Sequence, residues 1–469
     1  MASIGLTEHP DIQGLLFRGY TDHAHAGYGL FRIRGRRAFQ AWLTGLLDRE
    51  QVTTAESSSR KEVADSHLNI AFTASGLQKL LDAGSIADSF EPAFIEGMVQ
   101  EHRSRLLGDV EANDPKAWRW GRRQDFDGLL MGFAHSRQAA DDLLAAHLTA
   151  ANGADRGITV FGHLDGAGTE SFGFADGISQ PIVEGTKLYN DRLHTRPREV
   201  ALHGVPVGEV LLGYPDGSGR LPRSPATSAA SDPRGVLPPH WEWPERRDLG
   251  RNGSFLVVRQ LAQDKDGFWR LMEAMAAEGA GESAIGLAEK MVGRRKDGGA
   301  LAPATGAGPD HNNLFDFDDD RQGQHCPLGS HIRRSNPRAT GSDTPDGSLN
   351  VTKRHRMIRR GRGYADDEQG EVGLQFLCFN ASITRQFEFV QGSWCNNPFF
   401  HGLQREVDPI IGTVRPAGRG LASIDRFTIP RAGSYRRLLA GLPSFVTVKG
   451  GGYFFMPAIA ALRCLAAAP

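Results

Sequence analysis

Cysteine is scarce in this chain: four residues (Cys326, Cys378, Cys395, Cys464) among 469, scattered rather than clustered. That excludes a disulfide-framed scaffold and favours reduced thiols. An excess of one charge is also missing, since 54 Lys and Arg face 55 Asp and Glu. The balance gives no global attraction to nucleic acid or to an anionic membrane. No apolar run approaches the length of about 18 residues that a membrane-spanning helix requires. The opening stretch, MASIGLTEHPDIQGLLFRGY, has neither a basic segment followed by an apolar core nor a twin-arginine pair. These absences predict a cytoplasmic chain with no membrane partner and no nucleic-acid partner.

What is present is an ordinary globular composition, 40% hydrophobic and 23% charged, with a generous 57 glycines. The length exceeds that at which single cores stop growing, so two domains are expected. Two stretches read as linkers or surface loops: Ser224 to His240, rich in Pro, Ser and Ala, and Arg294 to Asp310, rich in Gly and Ala. Strands are expected over Gln13–Tyr20, Tyr28–Arg34, Leu68–Phe72, Gly128–His135 and Ile158–Gly162. Helices are expected over Arg37–Leu47, Ser75–Ala83 and Gln138–Ala151, with Thr73 to Ser75 supplying N-cap residues. The second half repeats this grammar. Strand Phe255–Leu261 precedes helix Gly267–Ala276, and strand Leu374–Asn380 precedes helix Ser382–Val390. Phe445–Val448 and Tyr453–Met456 read as a strand pair before a helix over Ala458–Ala467. The repetition predicts two related α+β units, each an antiparallel sheet with helices on one face.

Three local sequences could carry chemistry. In Gly173-Phe174-Ala175-Asp176-Gly177-Ile178-Ser179-Gln180-Pro181 two glycines bracket an acid, so the backbone could pass close to another group and present Asp176 inward. An ordinary surface Asp-Gly turn is the plain alternative. His331 lies in a Gly- and Pro-punctuated, arginine-rich stretch (HCPLGSHIRRSNPR) and could bind iron or zinc. A zinc reading would recruit His325, Cys326 and His331 but finds no Cys-x-x-Cys or His-Glu-x-x-His spacing. His23 and His25 form a further pair that a solvated turn explains as well. Lys353 to Arg362, KRHRMIRRGR, holds a run of basic residues. Such runs mark nucleic-acid surfaces, or, where apolar residues such as Met357 and Ile358 turn part of the run inward, a site for carboxylate groups.

Taken together, DIQGLLFRGY, GFADGISQP, HIRRSNPR, IRRGRGY and GLQFLCFNASITRQFEF, in this order, resemble the dye-decolorising peroxidase family over nearly the whole chain. The resemblance implies two ferredoxin-like domains, expected at 1–200 and 201–469, with haem held mainly by the second. It implies one non-covalent haem b per chain, consistent with the lack of a Cys-x-x-Cys-His attachment sequence. It further implies His331 as the iron ligand, Asp176 and Arg359 as the residues acting on peroxide, and Arg338 as a contact to a haem propionate. Leu374 and Phe376 would line the pocket, and Glu388 would accept a hydrogen bond from the second nitrogen of His331. Hydrogen peroxide and bulky organic reductants, phenols and anthraquinone dyes among them, would be the substrates.

Those residue types suit that chemistry. A carboxylate behind an imidazole enriches its electron density for iron. Asp176 could move a proton between the peroxide oxygens, and an aspartate with a pKa near about 4 stays available in acid, which predicts an acidic optimum. Arg359 would stabilise charge on the departing oxygen. A haem-storage protein on the same scaffold would need neither residue. If bulky donors cannot reach the iron, an aromatic side chain must relay electrons, with Trp394 and Tyr364 as candidates beside core packing as their plain explanation.

Overall fold

The computed structural model describes residues 9–56, 65–81, 86, 88–123, 125–148, 154–164, 168–278, 281–303, 313–340, 345–366, 369–415 and 422–469. In the first half, β1 (His25–Ile33), α1 (Arg36–Asp48), β2 (Ser66–Phe72), α2 (Ala74–Leu80), β3 (Gly128–Ala134), α3 (Arg137–His147) and β4 (Ala154–His163) follow the expected succession. The Thr73 hydroxyl accepts the Gly76 amide and Ser136 that of Ala139, so α2 and α3 begin on N-caps of the type the sequence offered. The strands pair antiparallel in the order β4-β1-β3-β2.

The second half supplies β5 (Ser254–Gln263), α4 (Lys265–Ala277), α5 (Ala284–Val292), α6 (His331–Ser335), β6 (Ile358–Arg359), β7 (Arg362–Asp366), β8 (Glu371–Asn380), β9 (Val446–Met456) and α7 (Ile459–Ala467). Its main strands pair in the order β9-β5-β8-β7, all antiparallel. Numbered within each half, both sheets run fourth, first, third, second strand, with a helix after the first strand and helical turns after the third. That succession is the ferredoxin-like arrangement, present twice. The edges of the sheets meet at two single pairings, Gly363 with His163 and Phe455 with Phe72, so the eight main strands close into a ring.

The halves are tied by packing as well. Phe39, Trp42 and Leu43 of α1 share one buried core with Ala461, Leu462 and Leu465 of α7. Gln40 of α1 donates through Nε2 to the carbonyls of Leu465 and Ala468. A second core joins Phe172 and Phe174, just before Asp176, to Phe268 and Met272 of α4 and Leu287 and Met291 of α5. That core fixes where the Asp176 turn begins.

Several local expectations are corrected. Gln13–Tyr20 is not a strand: it holds a short 3-10 turn over Gly14–Leu16, whose Leu15 and Leu16 carbonyls accept the Arg360 side chain instead of a strand ladder. Phe445–Val448 and Tyr453–Met456 are not a strand pair but parts of the single strand β9, which passes through Gly450 to Gly452 with a register shift between Val448 and Gly450. The glycines are needed there because Trp120 lies directly over Gly450; a Cβ would stand 2.4 Å from its indole nitrogen. Ser382–Val390 is helical but widened into π-turns, Thr384–Glu388 and Val390–Cys395. The far ends of the expected helix Gln138–Ala151 and loop Arg294–Asp310 lie outside the described residues.

Candidate active site

His331 opens α6 behind Ser330, whose hydroxyl donates to the Lys290 carbonyl and holds the helix start to α5. Its Nδ1 meets Oδ2 of Asp408 at 2.9 Å. Asp408 is completely buried, and its other oxygen accepts the amides of Ile410 and Ile411. The carboxylate therefore fixes the ring and leaves Nε2 as the free nitrogen. The imidazole still exposes 29% of its surface, although burial, opposed by the charge of Asp408, is the largest influence on it. The Asp408 carboxylate prevails, and the His331 pKa lies above its ordinary value of 6.5. Arg359 and Glu170 also act on His331 electrostatically, so both lie within range of its ring.

Glu388 does not serve His331. Its carboxylate is buried and engaged by Arg103, at 2.9 and 2.7 Å, and by the Tyr453 hydroxyl at 2.9 Å. The expectation failed because Glu388 sits on a π-turn facing the core, whereas the acid that reaches His331 comes from the Glu406–Ile411 loop. No local pattern in Glu406-Val407-Asp408-Pro409 advertises that role.

Arg359 lies on β6, where it pairs with Cys378 of β8. Directly opposed residues share a sheet face, and so do alternate residues along a strand. Arg359 therefore shares a face with Leu374, Phe376 and Cys378. Leu374 and Phe376 are only half-buried in mid-sheet while Gln375 and Leu377 on the other face are buried, so this face borders open space. Arg360 points the opposite way, into the Leu15 and Leu16 carbonyls. Parity thus places Arg359, and not its neighbour, beside the pocket residues.

Asp176 occupies a turn in which Gly173 (φ 90°) and Gly177 (φ 75°) adopt the left-handed conformations that suit glycine. Its carboxylate is exposed rather than turned into the protein as expected, and Oδ1 accepts the Gly177 amide at 2.6 Å. The turn is nonetheless held against Arg359, whose Nη2 donates to the Ser179 carbonyl at 2.7 Å. Glu170, which the sequence reading missed, lies at the start of this segment, where burial raises its pKa against the hydrogen bonds of the Phe172 and Phe174 amides.

A second missed feature is a group of buried arginines. Arg338 and Arg356 are buried and, among the described residues, no ion pair joins either to a carboxylate. Arg338 donates to the Asn313 carbonyl and side chain and to the Phe315 carbonyl, and its guanidinium lies 3.7 Å from the Phe315 ring centre. Burial, then the charges of Arg294 and Arg356, pull its pKa well down; burial, then Arg359, pulls Arg356 down to about 9. Arg338 is thus already engaged, not a freely projecting propionate contact, yet the group carries buried positive charge that lacks an anion.

The other sequence candidates fall away. Most of the Lys353 to Arg362 run turns inward: Arg356 and Arg362 are buried, and Arg362 donates to the carbonyls of Gly19, Tyr20, His23 and Ala24. Among the described residues no cluster of three His, Cys, Asp or Glu could hold a metal ion, which removes the zinc reading of His325, Cys326 and His331. His23 stacks on His135 and meets His67 edge-on. All four cysteines are buried and free. Tyr364 is buried and donates to Glu371 at 2.7 Å, while Trp394 borders a surface cleft of about 340 Å³ with Phe389, Phe399, Phe400 and His401. No described helix is long and apolar enough to cross a membrane.

The residues present fit a haem. They offer one imidazole nitrogen held free by a buried acid, an apolar sheet face left open, and buried arginines in want of carboxylates. A family model described as Dyp-type peroxidase, C-terminal, matches residues 245–399, a span containing His331, Arg338 and Arg359 but neither Asp176 nor Asp408. The chain is 29% identical to the multifunctional dye peroxidase DyP2 of Amycolatopsis sp., over 96% of this chain and 92% of that protein. It is 28% identical to a dye-decolorizing peroxidase of Exidia glandulosa, over 96% and 86%. In fold it is similar to a DyP-type peroxidase of Anabaena sp., with a TM-score of 0.77 at 21% identity over 99% of this chain and 97% of that one. A dye-decolorizing peroxidase solved with 2,6-dimethoxyphenol gives 0.74 at 23% identity, over 99% and 100%. Relatives named as dye-decolorising peroxidases thus match nearly the full length of the chain, the family model matches residues 245–399, and the fold is shared with solved structures of that kind.

Proposed function

We propose that the protein is a haem peroxidase that reduces hydrogen peroxide and oxidises bulky organic donors such as phenols and anthraquinone dyes. The observation that carries this reading is the His331 imidazole, fixed by the buried Asp408 with Nε2 facing free space and within electrostatic range of Arg359, which shares a sheet face with the half-buried Leu374 and Phe376. One non-covalent haem b per chain, held mainly by the second ferredoxin-like unit (201–469, after a first unit over 1–200), fits that space. When bound, it supplies the iron at which peroxide is reduced and through which donor electrons are drawn.

His331 holds the iron through Nε2, and Asp408 keeps the proton on Nδ1 so that Nε2 retains its lone pair. Asp176 accepts a proton from hydrogen peroxide at its carboxylate and returns it to the oxygen that leaves as water. Its exposure suits that task, because a carboxylate already committed to a buried ion pair could not exchange protons. Arg359, charged throughout, stabilises negative charge on the departing oxygen. Leu374 and Phe376 exclude water and leave little width for a bulky donor, so large donors meet the protein elsewhere. The Trp394 cleft, with its aromatic walls, is the place where they would dock. Arg338 and Arg356 supply the positive charge that balances the haem carboxylates. Four free buried thiols agree with a cytoplasmic setting.

The deciding experiment is an absorption spectrum of the purified protein before and after peroxide, with 2,6-dimethoxyphenol and an anthraquinone dye as donors. A Soret band that shifts on adding peroxide and returns on adding donor supports the reading; a protein that takes up no haem overturns it.

A further inference from the structure

The turn that carries Asp176 is bonded to the strand that carries Arg359. Arg359 lies on the outermost strand of its sheet, so its backbone N–H and carbonyl have no strand partner on the outer side. Both are met by one side chain: Gln180 Oε1 accepts the Arg359 N–H at 3.0 Å, and Gln180 Nε2 donates to the Arg359 carbonyl at 3.1 Å. Only a carboxamide offers an acceptor and a donor side by side at the spacing of one residue's N–H and C=O. The Arg359 guanidinium adds a bond to the Ser179 carbonyl at 2.7 Å. The far end of the turn, from residue 179 on, is thus bonded directly to the strand that carries the arginine.

The near end is fastened by Glu170. Its Oε1 accepts the Phe174 amide at 3.0 Å, and its Oε2 accepts the Phe172 amide at 3.0 Å and Gln263 Nε2 at 2.8 Å. Gln263 ends β5, so the segment is anchored to the second sheet. Trp269 of α4 adds an indole N–H bond to the Phe172 carbonyl at 3.1 Å. Between these anchors the Ala175 amide donates to the Lys296 carbonyl and the Asp176 amide to the Gly168 carbonyl, both at 3.0 Å, so the backbone of Asp176 is held while its carboxylate stays exposed.

We propose that Gln180 and Glu170 are positioning residues that clamp the Asp176 turn to the Arg359 strand and thereby set the separation of the two side chains. The proposal rests on the roles given to Asp176 and Arg359 above. Its physical basis is that proton transfer requires hydrogen-bond distance, and a displacement of about 1 Å can cost about 100-fold in rate. Phe172 and Phe174 pack in the core and would keep the segment folded without the clamp, so a purely structural role and a positioning role can be separated.

The test uses the full chain and the variants Gln180→Leu, Gln180→Glu and Glu170→Gln. Without haem, amide hydrogen exchange is followed over the peptide containing Arg359. Gln180→Leu is expected to speed exchange at Arg359 by about tenfold or more, whereas Gln180→Glu, which keeps the acceptor, preserves protection. Glu170→Gln, which replaces one acceptor by a donor, is expected to shift the ¹⁹F resonance of fluorotryptophan at Trp269, identified by its loss in Trp269→Phe. With haem bound, Gln180→Leu and Glu170→Gln should react with hydrogen peroxide about 10- to 100-fold more slowly at unchanged haem content. In an Asp176→Asn background the same substitutions should add almost no further loss, since what they position is already gone.

Wild-type peroxide rates in both clamp variants, alongside a slow Asp176→Asn, overturn the clamp and leave the function standing. Full additivity with Asp176→Asn, or loss of haem in step with loss of rate, also overturns it in favour of a structural role. A wild-type rate in Asp176→Asn itself removes the role of Asp176, and the clamp falls with it.

Discussion

Nδ1 of His331 lies 2.9 Å from Oδ2 of Asp408, 77 positions further along the chain. The pair ties α6 to the loop after the π-turns and decides which imidazole nitrogen is available to a metal. In Asp408→Asn, the amide oxygen would keep the Ile410 and Ile411 amides and turn its NH₂ toward Nδ1. Nδ1 must then accept, and the proton moves to Nε2, the nitrogen needed by iron. Haem affinity is expected to fall by about 10- to 100-fold, measured as the rate of haem transfer to an excess of a scavenging apoprotein.

The same pair predicts a pH signature in the haem-free chain. Burial opposes charge on both partners, yet His331 ends above 6.5 and Asp408 below 3.8 because each favours the other's charged form. A raised histidine pKa contributes stability in full below 6.5 and loses it as pH rises through the folded value. A lowered aspartate pKa contributes stability above 3.8 and loses it as pH falls through the folded value. The stability difference between wild type and Asp408→Asn should therefore be largest between these two values and shrink above them, as followed by urea unfolding across pH. A difference that grew steadily towards alkaline pH would refute the pairing.

Arg359→Leu should retain haem, because it leaves the His331–Asp408 pair in place, and should react with hydrogen peroxide about 100- to 1000-fold more slowly. Asp176→Asn should also be haem-replete, with a smaller loss if water relays the proton. Rapid mixing with peroxide measures both. Arg360→Leu, by contrast, removes the bonds to the Leu15, Leu16 and Arg359 carbonyls, and its effect should appear chiefly in stability, with a far smaller loss of peroxide rate than Arg359→Leu.

Much of this arrangement was legible in the sequence, for reasons that differ by element. The βαββαβ succession showed because strand alternation and helix periodicity are local signals. Arg359, Leu374 and Phe376 were brought together in the sequence only by the family resemblance; the pairing of Arg359 with Cys378 that puts them on one face is a product of the fold. What the sequence hid were partners made by long-range folding. Glu388 was assigned to His331 on the resemblance of the QFEF stretch, but on its π-turn the carboxylate meets Arg103 and Tyr453. Asp408 sits in an unremarkable Asp-Pro turn. The KGGG stretch read as a break because three glycines weaken a strand, yet Trp120 and its neighbours need that bare backbone to pack.

Glu388 makes its own prediction. With Arg103 and Tyr453 bonded to a fully buried carboxylate, Glu388→Ala leaves Arg103 with only the partly exposed Glu96 and the Tyr453 hydroxyl with no acceptor there, and should destabilise the fold by about 1–3 kcal/mol. The midpoint of urea unfolding should drop accordingly, while the haem that remains bound keeps its wild-type rate with peroxide. If Glu388→Ala instead released haem at unchanged stability, the assignment of the proximal acid to Asp408 alone would be wrong.

The arginine group predicts a trade between stability and cofactor affinity. Arg356 is buried, its Nη2 lacks a hydrogen-bond partner, and its Nη1 faces His203 Nδ1 at 3.4 Å. Holding that charge without a carboxylate costs the haem-free fold, and the cost is offset only when an anionic group arrives. Arg356→Met keeps the volume and removes the charge. The haem-free variant should therefore be at least as stable as wild type in urea, while its haem is lost faster, by about tenfold for one charge-assisted contact. Opposite signs for the two measurements in one variant are what a site built around an anion requires. A uniform loss of stability and affinity would show instead that Arg356 is held by contacts within the chain.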